Sequence, residues 1–121
     1  MAEERLRTVA SLRGTPALTL SAWRGRSGRR YVVGVHDMGE PDLAEMRDAV
    51  VIAVRRDGAG IAQPVCVATS GESPRERLKR GWLAHVARRG ATEMHVHRLA
   101  QTEDERRAVL QDLDIPASAL N

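Results

Sequence analysis

The chain reads as an α+β domain, a small and mainly antiparallel sheet flanked by helices, and three observations point there. Short apolar runs, alternating or continuous, fall at residues 17–23, 31–35, 49–54, 64–68 and 92–98, each bounded by glycine, proline or polar turn residues. The connections Gly25 to Gly28 and Asp57 to Gly60 are short and turn-forming, so each joins two of these runs as an antiparallel pair. Two stretches of helical period begin at side chains suited to capping, Ser73 and Thr102.

Taken in order, residues 2–12 carry Leu6, Val9, Ala10 and Leu12 near one side, which fits a short amphipathic helix or a loose arm before Gly14 and Pro16. Leu18, Leu20 and Ala22 alternate with Thr19, Ser21 and Trp23 as the first strand of an N-terminal β-hairpin, and residues 31–35 form its partner. Gly39 and Pro41 break the pattern, leaving residues 42–47 for a helical turn. Residues 49–54 are apolar at every position, so both faces of that strand should be covered. Residues 64–68 follow across the Asp57-Gly58 turn.

The next helix should open at Ser73, with Pro74 at its first position and Glu76 at its third, and should bury Leu78, Trp82 and Val86. Gly81 marks a possible bend, and Arg88, Arg89 and Gly90 supply a basic last turn and a stop. Residues 92–98 alternate as a further strand of the same sheet. Thr102 and Glu105 form a second capping box before a helix that buries Val109, Leu110 and Leu113 and ends before Pro116.

At 121 residues a single domain is expected over 1–121, with residues 1–47 as a helix and hairpin extension and 48–115 as the core. Trp23, Tyr31 and Trp82 are the only aromatic residues, so no stacking platform for exposed bases is built in. Lys and Arg number 19 against 16 Asp and Glu, and Lys79 is the only lysine, so the basic side is almost entirely arginine, the residue suited to bidentate phosphate or carboxylate contact. Codon preference in a GC-rich genome yields the same composition. Cys66 stands alone, which excludes an intrachain disulfide and a CxxC metal knuckle and fits a small buried strand residue. No run approaches the ~20 apolar residues of a bilayer span, and the first residues lack the apolar core of a secretion signal, so a cytoplasmic protein with no membrane partner is expected.

Residues 49–58, 64–71, 75–79 and 90–97, in this order and with these turns, resemble successive blocks of GIY-YIG nuclease-like domains, including an Arg-x-Arg-Leu helix start at Arg75, Arg77 and Leu78. The resemblance covers just over half of the chain and implies a GIY-YIG-like sheet with the N-terminal hairpin as an extension. It also implies which positions would carry phosphodiester hydrolysis, a chemistry that needs a base, a cation and a metal-holding carboxylate. Val51 and Cys66 stand where the family has its two tyrosines, Ala68 replaces the glycine that follows, Gly81 or Trp82 falls at the histidine position, and Leu110 falls at the metal-binding glutamate. Arg77 alone is retained. The resemblance therefore implies a degenerate domain, silent by the family mechanism.

Arg24, Arg26, Arg29 and Arg30 crowd the hairpin turn, and Arg75, Arg77, Lys79 and Arg80 form a second basic cluster; together they make a candidate nucleic-acid surface, or else two solvated turns. His95 and His97 share a strand face and would chelate a metal only with a third ligand; the other reading is a polar strand face. His36 and Asp37 are adjacent on a strand and point apart, which rules them out as a pair. Ser73 is first a cap, and Ser70 lacks a histidine partner. The expected function is non-catalytic binding of nucleic acid or a protein partner, without a cofactor. The alternatives are a metal-dependent nuclease with relocated groups drawn from Tyr31, His85, His95 or Glu105, and a structural or oligomerisation module.

Overall fold

The computed structural model describes residues 3–5, 19–38, 46–71, 78 and 80–117. In chain order the elements are β1 (Glu3–Arg5), β2 (Leu20–Arg24), β3 (Arg30–Asp37), β4 (Val50–Arg56), β5 (Ala62–Thr69), α1 (Arg80–Arg88), β6 (Glu93–His97) and α2 (Glu103–Leu113). The α+β expectation holds. All the strands join one antiparallel sheet in the order β1-β2-β3-β6-β4-β5, so β6, the last strand made, sits between the N-terminal hairpin and the β4–β5 pair.

Residues 3–5 correct the reading of the N-terminal stretch as a helix or arm. They form β1, with Glu3 opposite Trp23, and complete the outer edge of β2. A helical period in the first residues carries no information about the long-range partner that fixes Glu3. The remainder of that stretch, and residues 42–45 of the expected helical turn, lie outside the described residues.

β4 has the two covered faces that its unbroken apolar run requires. Val51 and Ala53 pack with Cys66, Met94, Trp82 and Val86 of α1, whereas Val50, Ile52 and Val54 pack with Trp23, Val33, Val109 and Leu113 of α2. The two helices therefore lie on opposite faces of the sheet. A bulge opposite Ala53 and Val54 leaves Val65 as the extra residue of β5 and turns it, beside Cys66, toward the α1 face.

The expected opening of the first helix at Ser73 lies outside the described residues; α1 is described from Arg80, with Gly81 in its first turn and Leu78, Trp82 and Val86 buried as their spacing implies. Its end is a Schellman closure: Gly90, at φ 92°, donates its N–H to Ala87, and the N–H of Ala91 reaches back to the Val86 carbonyl. At α2, the Thr102 hydroxyl accepts the Glu105 N–H, and the Glu105 carboxylate accepts the N–H of Gln101, one residue before the cap. Asp114, in the left-handed region, closes α2 ahead of Pro116.

Side chains on the α2 face show that the sheet is curled. Arg56 of β4 donates to both carboxylate oxygens of Glu3 on β1, at 3.0 and 2.9 Å, although β2, β3 and β6 intervene. In a flat sheet β1 and β4 would stand about 19 Å apart, beyond the joint reach of a glutamate and an arginine. The α2 face is thus concave, and β1 swings over it toward β4. The same guanidinium donates to Glu93 of β6 at 2.8 Å from both Nε and Nη2. Next to it lies His95, fully buried, whose Nδ1 accepts the indole N–H of Trp23 at 2.9 Å. Indole only donates, so the ring proton sits on Nε2 and is given to the Glu93 carboxylate 2.9 Å away.

These contacts set an acid limit on the fold. The Arg56 hydrogen bonds, outweighing burial, pull Glu93 down to about 2. Burial, outweighing Glu93 and Glu3, holds His95 below its usual range. Both groups bind protons more readily when unfolded, so their stabilisation is intact at pH 7, begins to fall below the ordinary histidine value as His95 charges, and falls further below the ordinary carboxylate value as Glu93 protonates. Urea midpoints measured from pH 7.5 down to 3 should decline in that order. Arg56→Ala should cost about 3 kcal/mol at pH 7 and flatten the lower part of the profile, because two carboxylates lose their shared cation.

Candidate nucleic-acid interface

The hairpin tip is tied down rather than projecting as an arm. Asp112, in the last turn of α2, accepts the Ser27 N–H at 2.8 Å, the Ser27 hydroxyl at 2.7 Å and the Tyr31 hydroxyl at 2.6 Å. The Arg26 N–H donates to the Asp112 carbonyl and its guanidinium to the Gln111 carbonyl. The last turn of α2 holds no basic residue of its own, so Arg26 supplies the cation that its exposed carbonyls favour. Burial, with the hydrogen bond to Asp112, pushes the Tyr31 hydroxyl up to about 12, and the hydroxyls of Tyr31 and Ser27 in turn hold Asp112 below the usual carboxylate range. Arg24, Arg26, Arg29 and Arg30 are all exposed on this anchored turn; Arg24 also donates to the Gly28 carbonyl, and the Arg29 side chain lies beside the Tyr31 hydroxyl.

Of the second predicted cluster, Arg75, Arg77 and Lys79 lie outside the described residues, and Arg80 is described only as the first residue of α1. The positions matched to nuclease groups are divided between the two faces. Val51, Cys66 and Ala68 pack with Trp82 beneath α1, while Leu110 packs beneath α2 on the other side of the sheet. The groups suggested for a relocated site are no closer to a constellation: Tyr31 and His95 lie on the concave face, His85 is exposed on α1 across the sheet, and Glu105 is engaged in capping α2.

His95 and His97 do share a face, facing Ile52 and Val50 of β4, but the ring nitrogens of His95 are both engaged, and the Nδ1–H of His97 is given to the Val32 carbonyl at 2.8 Å. Among the described residues no three His, Cys, Asp or Glu side chains gather around a point where a metal would sit. No described helix is long and apolar enough to cross a membrane.

A third arginine group was not visible in the sequence. The segment before β4, the segment after β6 and the first half of α2 border an open cleft of about 450 Å³ lined, among the described residues, by Arg47, Asp48, Arg98, Ala100, Gln101 and Arg106. Antiparallel pairing brings these together: Val50 lies opposite His97, so the residues preceding β4 meet those that follow β6. Arg98 also borders a shallow apolar depression with Val32, two residues along β3 from Arg30. The cleft and the hairpin tip therefore flank the same end of the sheet.

No family model, curated protein or solved structure matches this chain. Its chemistry rests on the geometry alone.

Asp112 and Arg106 are the residues that sequence reading missed. Asp112 had no local signal, since its partners lie 81 and 85 positions away. Arg106 did have one: it stands at i with Val109 and Leu113 at i+3 and i+7, and all three are buried. An arginine on an apolar stripe is held by something polar.

The docking of the tip on α2 is open to direct test. A Cβ on Gly25 would fall 2.1 Å from Asp112 Oδ2 and 3.1 Å from its carbonyl oxygen. Gly25→Ala should therefore expel the Asp112 carboxylate and cost roughly 1–3 kcal/mol in denaturant unfolding. Asp112→Ala should cost a similar amount, and the double variant should cost clearly less than the two together, since each removes the same junction. Strict additivity would mean that the tip and α2 are independent.

Proposed function

We propose that the protein is a non-catalytic domain that binds nucleic acid through an arginine-rich surface at the end of the sheet bearing the hairpin tip, and that it is a degenerate relative of GIY-YIG nuclease-like domains. The observation that carries the binding reading is the anchored tip. Four exposed arginines sit on a turn that hydrogen bonds hold to α2, so little conformational freedom is lost when they meet phosphates. With so few aromatic residues, contact with the phosphate backbone dominates over stacking on bases, and sequence selectivity should be weak.

The order β4, β5, α1, β6, α2, with β4 antiparallel to β5, is what the resemblance implied and supports the proposed kinship. The separation of Leu110 from Val51 and Cys66 across the sheet supports catalytic silence, because these places do not form one site, and it counts against Leu110 as the counterpart of the family's glutamate.

Affinity for single- or double-stranded nucleic acid should fall steeply with salt. Arg29→Ala with Arg30→Ala should weaken binding and reduce the salt slope by up to about 2. Unfolding free energy should stay within about 0.5 kcal/mol, since both side chains are exposed. Binding that is absent at low salt, or a variant with the parental slope, would transfer the proposal to a protein partner.

Incubated with Mg²⁺ or Mn²⁺, the purified chain should leave nucleic acid intact. Cleavage that survives stringent purification and is lost in Arg77→Ala would overturn the silent reading.

A further inference from the structure

We propose that His95 is a proton-operated switch, which ties β6 to β2 when its ring is neutral and to β1 when the ring is charged, by exchanging the partner of Nδ1 from the Trp23 indole to the Glu3 carboxylate.

Glu3 and Trp23 stand directly opposite each other in the β1–β2 register, and both reach the same ring nitrogen. Nδ1 lies 2.9 Å from the indole nitrogen and 3.6 Å from Glu3 Oε2. Only the neutral ring can accept the indole N–H, because its one proton is on Nε2 and given to Glu93. A second proton has to enter at Nδ1, where it meets another donor. The indole bond is then lost, and a movement of about 1 Å brings Nδ1–H to charge-assisted hydrogen-bond length from Glu3. A carboxylate offers about four lone-pair sites, so Glu3 can take this bond while it still accepts two from Arg56.

The charges around the ring favour the exchange. Glu3 faces it from β1, Glu93 from β6 itself and Arg56 from β4, so two carboxylates share one guanidinium. With a neutral ring these groups carry one negative charge in excess, and a charged ring cancels it. The other described neighbours are apolar or already paired. β3 and β4 place Val35 and Ile52 opposite His95, α2 adds Val109 and Leu113 to the same cluster, and the His97 ring is given to the Val32 carbonyl. Burial opposes charging and delays the exchange to below the ordinary histidine value. Glu3 remains an anion there, its burial outweighed by its hydrogen bonds and the charges beside it. The fold therefore holds two arrangements of one ring, and pH sets which is populated.

The test follows the Trp23 indole N–H by NMR in the ¹⁵N-labelled full chain from pH 7.5 to 4.5, with Trp82→Phe used only to assign it. The indole proton should move upfield as its acceptor is lost, in one reversible step sharing the His95 midpoint, while the backbone spectrum keeps its folded dispersion. Glu3→Gln leaves an acceptor for Arg56 but removes the anion, and should lower that midpoint by about one pH unit. His95→Gln should abolish the step; if it does not fold, Glu3→Gln decides.

An indole signal that stays in place until the whole spectrum collapses would overturn the switch, since the ring would then charge only on unfolding. A midpoint that is unchanged or raised in Glu3→Gln would reject Glu3 as the second partner and the exchange with it.

Discussion

The curl of the sheet depends on one guanidinium. Arg56, already beside Glu93 on the neighbouring strand β6, also draws in Glu3 of β1, which a flat sheet would leave hydrated, and it does so where β1 pairs with β2 over only three residues. A partly buried ion pair contributes little net stability once desolvation is counted. Its effect is selective: the curled arrangement satisfies all three charges at once, whereas a flat sheet would keep the Arg56–Glu93 pair of neighbouring strands and leave Glu3 without the cation. The Trp23 indole and the His95 ring continue the polar network inward, because an indole N–H buried in an apolar face needs an acceptor, and His95 of β6 supplies it across β3.

Curling also decides what each face can do. The concave side is filled by α2 and the polar network, and the other side by α1, so β4 contributes alternate residues to two separate interiors. A catalytic set drawn from both β4–β5 and α2 would have to pass through the sheet to meet. Among the described residues, one cluster of arginines lies at the end of the sheet where the segments around β4 and β6 emerge beside α2 and the hairpin turn.

Much of the architecture was legible because it is written in local terms. The continuous apolar run of β4, the capping side chains at Thr102 and the glycine after α1 each have a local physical cause that acts alike in a peptide or a fold. What escaped reading depends on partners distant in sequence. Residues 3–5 form a strand because Arg56 and Trp23 are nearby in space; the tip arginines are ordered because Asp112 is; and β6 enters the middle of the sheet, which no period in its own residues specifies. The candidate site was half legible for the same reason. The arginines of the tip stand together in sequence, whereas Arg47, Arg98 and Arg106 meet only through the pairing of β4 with β6.

The arginines consequently differ in what they have left to offer a partner, although composition treats them alike. Arg56 is consumed by two carboxylates, and that environment raises its pKa further, so it stays charged and turned inward. Arg26 serves the carbonyl end of α2, and its charge is already matched by a helix terminus. Arg106 is the intermediate case, as buried as a structural arginine but with a single carbonyl hydrogen bond among the described residues. Its remaining donors face an open cleft that water can enter, so burial fixes the side chain on α2 without leaving a buried donor unmet.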